Sequence, residues 1–275
     1  MKLGIDLGGT NIRIGKMQEG VIIEKRTAPS PAKMGLEESL DYLKEFIRPL
    51  VTPDLEGIGI GVPSVVDVKQ GIVYHVTNIP AWVEVPLKKI LEEEFGVPVY
   101  INNDANCFAM GESRYGEGQA FENMLGVTLG TGVGAGVILN RQLYNGSNTG
   151  AGEIGCMRYL DRIYEHYCGS EFFSTYHNTT GREAARLARE GDAKALKIWE
   201  EYGEHIGELV QAILYAYDPD AIVFGGGITD AYPLFSESMR RNLSGFMYPE
   251  SLKKLKICIS TNPDIALLGA IALVE

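Results

Sequence analysis

The sequence is short of cysteine, short of positive charge and free of long apolar runs, and each shortage excludes a class of protein. Cys107, Cys156, Cys168 and Cys258 are four cysteines in 275 residues. They are too scattered for a disulfide framework, which points to reduced thiols and a cytoplasmic setting. Lys and Arg total 25 against 36 Asp and Glu, a net charge of −11. That balance argues against a protein that tracks nucleic-acid phosphates. No stretch approaches the roughly 18 apolar residues of a membrane span. The N-terminus enters strand-like sequence within three residues, without a basic-then-apolar leader. What is plentiful is glycine, 33 residues, where ordinary usage of about 7% would give roughly 19. The glycines cluster in short apolar contexts, which predicts tight turns.

The chain repeats itself. "LGIDLGGTNIRIG" from Leu3 and "LGVTLGTGVGAGV" from Leu125 align without a gap, with Leu3/Leu125, Gly4/Gly126, Leu7/Leu129 and Gly8/Gly130 identical. Each reads as strand, glycine turn, strand, turn, strand. The later segments recur in order: "EGIGIGVP" (56–63) with "DAIVFGGG" (220–227), then "VPVYINNDAN" (97–106) with "LKICISTNPD" (255–264). Helical stripes separate them, Leu36, Leu40, Leu43 and Ile47 in one half and Leu196, Trp199, Ile206, Leu209 and Ile213 in the other. The expected fold is α/β with duplicated βββαβαβα halves, two lobes and a cleft. The expected lobes are residues 1–114, completed by a C-terminal helix 264–275, and residues 115–263.

Within "GIDLGGTNIR" (4–13), a carboxylate, Asp6, runs straight into Gly8, Gly9, Thr10 and Asn11. Glycine weakens a strand and an unpaired buried carboxylate is costly, so stability alone does not account for the segment. Turns rich in glycine offer backbone N–H groups to phosphate oxygens. Gly8 to Asn11 and Gly130, Thr131 and Gly132 are therefore candidate phosphate clamps. Gly225, Gly226 and Gly227 end a strand where a flat group such as adenine could approach the backbone. Asp6 would lie near a bound Mg²⁺, offsetting the burial of its charge.

"NNDANC" (102–107) follows a strand and opens a helix. Asn103 and Asp104 suit a helix N-cap, and beside phosphate loops Asp104 suits a general base for a substrate hydroxyl. Positioning and charge stabilisation supply the rest of a phosphoryl transfer.

These motifs resemble the ROK sugar kinases and their glucokinase relatives, of the actin-like ATPase (ribonuclease H-like) superfamily. The matching pieces are "DLGGTNIR" (6–13), "GVPSVVD" (61–67), "NIPAWVEVPL" (78–87), "NNDANCFAMGE" (102–112), "VTLGTGVGAGVI" (127–138), "NTGAGEIGC" (148–156) and "IVFGGGI" (222–228). The resemblance spans nearly the whole chain and implies an ATP- and Mg²⁺-dependent kinase of a hexose or N-acetylhexosamine. It implies that Asp104 activates a sugar hydroxyl and that Asn78, Asn103, Glu153 and a second acid, placed at Glu171, contact the sugar. It likewise gives phosphates to Gly8, Gly9, Thr10, Asn11, Thr131 and Gly132, and adenosine to Gly226.

Two departures stand out. The family's histidine after "GEIG" is Cys156 here, a weaker donor, so the sugar preference is expected to differ. The family's zinc cluster is reduced to Cys168 in "RYLDRIYEHYCGSEFF". Cys156, His166, Cys168 and a distant His177 lack zinc spacing, and no structural zinc is expected. His75, His166, His177 and His205 show no catalytic spacing, and Trp82 is expected to pack the first lobe. Because the chain starts at its first strand, the DNA-binding domain of the family's repressors is not expected. Two rivals stay open: a sugar sensor without turnover, and an ATPase without a sugar acceptor. The partners expected are a sugar and ATP, with no nucleic acid and no membrane. The sequence leaves the oligomeric state open, although homodimers are frequent in the resembling family.

Overall fold

The computed structural model describes residues 1–274; Glu275, the last residue of the expected C-terminal helix, lies outside the described residues. The chain divides into two compact units. One comprises Met1–Ala120, Gly136–Ala151 and the segment from Thr261 onward; the other comprises Phe121–Ala135 and Gly152–Ser260. No helix among the described residues is long and apolar enough to cross a membrane.

The first half runs β1 (Lys2–Leu7), β2 (Asn11–Gln18), β3 (Val21–Pro29), α1 (Leu36–Ile47) and β4 (Gly57–Val62). Three short strands follow, β5 (Val65–Asp67), β6 (Ile72–Tyr74) and β7 (Glu84–Val85), then α2 (Leu87–Phe95), β8 (Val99–Asn103) and α3 (Asp104–Tyr115). The second half opens with β9 (Met124–Leu129), β10 (Val133–Leu139) and β11 (Gln142–Leu143). It continues through β12 (Arg158–Tyr159), β13 (Arg162–Ile163), α4 (Tyr164–Cys168), α5 (Gly181–Arg189) and α6 (Ala193–Tyr217). It closes with β14 (Ala221–Gly225), α7 (Tyr232–Leu243), α8 (Pro249–Lys254), β15 (Lys256–Ile259) and α9 (Ile265–Ala272).

The two main sheets have the orders β3-β2-β1-β4-β8 and β11-β10-β9-β14-β15. Strand for strand, β1 corresponds to β9, β4 to β14 and β8 to β15, the pairing expected from the internal repeat. The additions are the small β5-β6-β7 sheet and the β12–α5 region, neither of which the repeat foretells.

In the first unit, β4 alternates "GIGIGV" and is buried throughout. Ile58, Ile60 and Val62 join the core that holds Leu3, Ile5, Leu43, Ile47 and Trp82. Trp82 is fully buried, and its Nε1–H donates to Ser39 Oγ at 2.7 Å. The glycine face does a different job. A Cβ on Gly59 would lie 1.8 Å from the Ala270 carbonyl oxygen, one on Gly4 2.7 Å from that of Leu267, and one on Gly111 2.1 Å from that of Ile265. Helix α9 therefore lies against β1, β4 and α3 backbone to backbone. Many of the glycines read as turns are instead strand and helix residues at such close approaches, because removal of Cβ lets two backbones meet. Gly136 does the same in β10, where a Cβ would come 2.7 Å from the Ala105 carbonyl oxygen of α3.

In the second unit, α6 buries Trp199, Ile206, Leu209 and Ile213, whereas Leu196 at its start is exposed. Leu36 at the start of α1 is exposed in the same way. An aromatic cluster surrounds His205. Tyr159 stacks on Tyr164 with 4.4 Å between ring centres, and its hydroxyl pairs with His205 Nδ1 at 2.9 Å. Burial, with His177 adding to it, lowers His205 from 6.5 to about 4. The unfolded chain binds that proton below about 6.5 and the folded chain resists it to about 4. Stability is therefore lost as pH falls through that window and is unaffected by His205 above it. His205→Gln should narrow the difference between melting temperatures at pH 7.5 and pH 4.5. An unchanged difference would refute the linkage.

Candidate active site

In the first unit the geometry follows from the parallel strands. β1 pairs parallel with β4, and β4 with β8, so all three end at one edge of the sheet. Asp6 is opposite Gly61, and Gly61 is opposite Asn102, forming one row across the sheet. With strands about 4.8 Å apart, Asp6 and Asn102 are about 10 Å apart across it. The turn after β1 and the start of α3 after β8 therefore lie at the same carboxyl edge, where open α/β sheets bind ligands.

The turn Gly8–Asn11 is exposed from Gly9 onward. A Cβ on Gly9 would come 2.8 Å from Asn78 Nδ2, which brings Asn78 to the first glycine turn. Asp6 has a partner the sequence reading did not give it. Arg13, directly opposite on β2, donates to Asp6 Oδ2 from Nε at 3.0 Å and from Nη2 at 2.5 Å. The charge is therefore compensated by a cross-strand ion pair and does not need a metal for that purpose. Asp6 and Arg13 flank the turn symmetrically, the signal that could have revealed the pair.

At the other end of the row, Asn103 caps α3, its Oδ1 accepting from the Ala105 and Asn106 amides at 2.9 and 3.3 Å. Its Nδ2 donates to the Ser64 carbonyl at 3.3 Å. Asp104 is the first residue of the helix, half-buried, with Oδ1 accepting from the Ala105 amide at 2.9 Å. Its carboxylate sits at the N-terminus of α3, the positive end of the helix dipole. Asn102, Asn106 and Asn145 lock this corner: Asn145 Oδ1 accepts from Asn102 Nδ2 at 2.9 Å, and Asn102 Oδ1 from Asn106 Nδ2 at 2.9 Å.

In the second unit β14 runs parallel to both β9 and β15. The turns after β9 (Gly130, Thr131, Gly132) and after β14 (Gly226, Gly227) lie at one sheet edge. Gly130 and Gly227 line one pocket of about 380 Å³, together with Ser170, Arg182 and Trp199. Gly226 has φ +90°, and a Cβ there would come 2.4 Å from the Leu129 carbonyl oxygen, so glycine is required. Gly225 completes β14, opposite Thr128.

The second turn also meets a carboxylate that the sequence reading missed. Glu165, on α4, accepts from the Val133 amide through Oε2 at 3.0 Å and lies where a Cβ on Gly132 would be, 2.3 Å from it. Cys156 Sγ donates to Glu153 Oε2 at 3.7 Å. Partial burial pushes the Cys156 thiol up, and the Glu153 and Glu165 carboxylates push it the same way. Glu153, Cys156 and Glu165 thus form one group, with the thiol held protonated. Glu171 does not belong to it: its carboxylate, 42% exposed, bonds Arg162 Nη1 at 2.9 Å and lies 3.6 Å from His166 Nε2. Of the two acids, it is Glu165 and not Glu171 that stands beside Cys156 and the Gly132 turn. Helix α4 is only five residues long, too short for sequence periodicity to single it out.

Among the described residues, no group of three or more His, Cys, Asp and Glu is arranged to hold a metal ion. Cys168 is buried and donates to the His205 carbonyl.

Two repeats of this sheet, with glycine turns at the strand ends, define the actin-like ATPase fold, which the solved ROK sugar-kinase structures share. The chain belongs to the ROK family, whose pattern matches residues 2–275. A glucokinase of Thermotoga maritima is 28% identical over 308 residues, covering 99% of this chain and 96% of that protein. The xylose repressor of Bacillus subtilis is 29% identical over 228 residues, covering 77% of this chain and 59% of that protein. A ROK hexokinase from Thermus thermophilus is 28% identical with a TM-score of 0.82, covering 98% of this chain and 96% of that one. A ROK glucokinase from Streptomyces griseus, solved with glucose and AMPPNP, is 27% identical with a TM-score of 0.82, covering 99% and 98%.

Proposed function

We propose that this protein is an ATP-dependent kinase of a hexose or N-acetylhexosamine. The observation that carries the proposal is the half-buried Asp104 at the N-terminus of α3, on the same sheet edge as the Gly8–Asn11 turn. Relatives that are glucokinases support it, and the Streptomyces griseus structure with AMPPNP supports ATP as donor.

In the reaction, Asp104 accepts the proton of a sugar hydroxyl. The sugar oxygen forms a bond to the γ-phosphorus, the bond from that phosphorus to the bridging oxygen breaks, and ADP leaves with the electron pair. The turns Gly8–Asn11 and Gly130–Gly132 hold phosphate oxygens through backbone N–H groups. Gly225, Gly226 and Gly227 border the adenosine. Mg²⁺ bound with the nucleotide would supply charge neutralisation. Asp6 fits that ion, because both Arg13 bonds fall on Oδ2 and, among the described residues, Oδ1 has no hydrogen-bond partner.

The sugar hydroxyls go to Glu153 and Glu165, since ionised carboxylates accept hydroxyl hydrogen bonds strongly. Cys156 supplies a weak neutral donor. Asn78 and Asn103 contribute from the first unit, Asn103 with its oxygen already committed to the helix cap. Glu165→Gln should raise the sugar KM about tenfold or more, the size of a lost charge-assisted bond. Glu171→Gln should leave it within about twofold. The reverse pattern would restore Glu171.

The test of the function is ADP release over glucose, mannose, fructose, allose, N-acetylglucosamine and N-acetylmannosamine. At least one sugar should give sugar-dependent ADP with a matching sugar phosphate. ADP release that ignores sugar, or thermal stabilisation by sugar without ADP, would overturn the reading.

A further inference from the structure

The motif "NNDANC" supplies Asn103 and Asp104 to the reaction and leaves Asn102 and Asn106 without a part in it. Both are buried, at 2% and 1% exposure, where an amide is costly unless hydrogen-bonded. Their bonds lead to the base. Asn102 Oδ1 accepts from the Asn103 amide at 2.9 Å, one residue before Asp104. It also accepts from Asn106 Nδ2 at 2.9 Å, joining the end of β8 to the first turn of α3. Asn106 Oδ1 is buried without a partner, so the orientation of that amide rests on Nδ2 alone.

The two side chains converge on one acceptor. Asn145 Oδ1 takes Asn102 Nδ2 at 2.9 Å and Asn106 Nδ2 at 3.4 Å. Asn145 comes from the loop after β11, far along the chain but in the same unit. That loop has anchors of its own. The Asn145 carbonyl accepts from the Ala151 amide at 3.4 Å, and Thr149 Oγ1 accepts from the Val66 amide at 2.9 Å. Thr149 is 3% exposed and has φ +51°, a conformation that β-branched residues rarely adopt. Such backbone persists where surrounding contacts over-determine it, commonly at functional sites.

We propose that Asn145 is a positioning residue for the base: it fixes the Asn102 and Asn106 amides, and through them the turn that presents Asp104 to the sugar hydroxyl. This deepens the kinase reading and rests on it for the effect on turnover, though not for the hold on α3. Without the Asn145 oxygen, buried Asn102 Nδ2 loses its acceptor, and the side chain must turn to find another. That turn releases the Asn103 amide. The Ala105 amide is shared by Asn103 Oδ1 and Asp104 Oδ1, both at 2.9 Å, so the displacement passes directly to the carboxylate.

Asn145→Ala is expected to lower kcat about tenfold or more, as misplacement of a reacting group does. The KM values for sugar and ATP should stay within about twofold, because the loss falls on the transition state. Asn145→Asp keeps an acceptor oxygen in place and should hold kcat within about threefold of wild type. Thr149→Val removes the loop's other side-chain anchor and leaves the asparagines alone. It should lower the melting temperature and keep kcat within about twofold. Amide hydrogen exchange over residues 103–109 gives a readout that needs no turnover: it should quicken in Asn145→Ala and not in Thr149→Val. An unchanged kcat in Asn145→Ala, or a loss matched by Asn145→Asp or Thr149→Val, would overturn the inference and leave the kinase reading standing. If the wild type phosphorylated no sugar, the kinase reading would fall separately. Exchange would then decide the hold on α3: faster in Asn145→Ala supports it, and unchanged refutes it.

Discussion

Asp104→Asn is expected to fold, bind nucleotide and lose sugar phosphorylation by about 10²–10⁴-fold in kcat, the usual contribution of a general base. The structure makes this a clean test. The Oδ1 of Asp104 accepts the Ala105 amide at 2.9 Å, a bond that asparagine can keep. The cap of α3 belongs to Asn103 and is untouched. The substitution also removes the interaction of one charge with the helix dipole, which costs about 0.3–1 kcal/mol. Steady-state kinetics with the best sugar, alongside a thermal melt and nucleotide binding, would measure all three quantities. Turnover within threefold of wild type would remove Asp104 from the role of base.

The largest effect on stability is expected from Gly269→Ala. A Cβ on this residue of α9 would fall 1.7 Å from the Cys107 carbonyl oxygen and 2.8 Å from the Gly111 amide nitrogen, both in α3. Overpacking normally costs 1–3 kcal/mol because side chains can turn away. Here the obstacle is backbone, so the helices themselves must separate, and Ile265, Leu268 and Ile271 lose contact with Phe108. A loss of at least about 3 kcal/mol follows, lowering Tm by about 6–12 °C. Alanine normally stabilises a helix relative to glycine by up to about 1 kcal/mol, so the sign of the change is itself diagnostic. A variant that melts at or above the wild-type temperature would show that α9 does not approach α3 this closely.

The same contrast explains what could be read without coordinates. The ungapped match of Leu3 to Leu125 carried the strand order of both halves, because strand, turn and strand are set by residues close in sequence. "NNDANC" announced a strand end and a helix start together, since Asn103 caps the helix that Asp104 begins. Two carboxylates resisted the same approach. Asp6 acquires its partner through the register of a hairpin, and Glu165 bonds the Val133 amide, just after the Gly132 turn, from a short helix thirty-two residues beyond Val133. Glu171, only six residues past Glu165, is drawn off by Arg162.

The amino-acid order by itself determined the duplicated α/β plan, the glycine turns at the strand ends and the acid that opens α3. Only the tertiary structure decided which glycines exist to let backbones touch, which acid joins Glu153 and Cys156, and which distant asparagine braces the start of α3. Local patterns report the conformation of a few neighbouring residues. Contacts between distant segments depend on packing geometry, which no short stretch of chain contains.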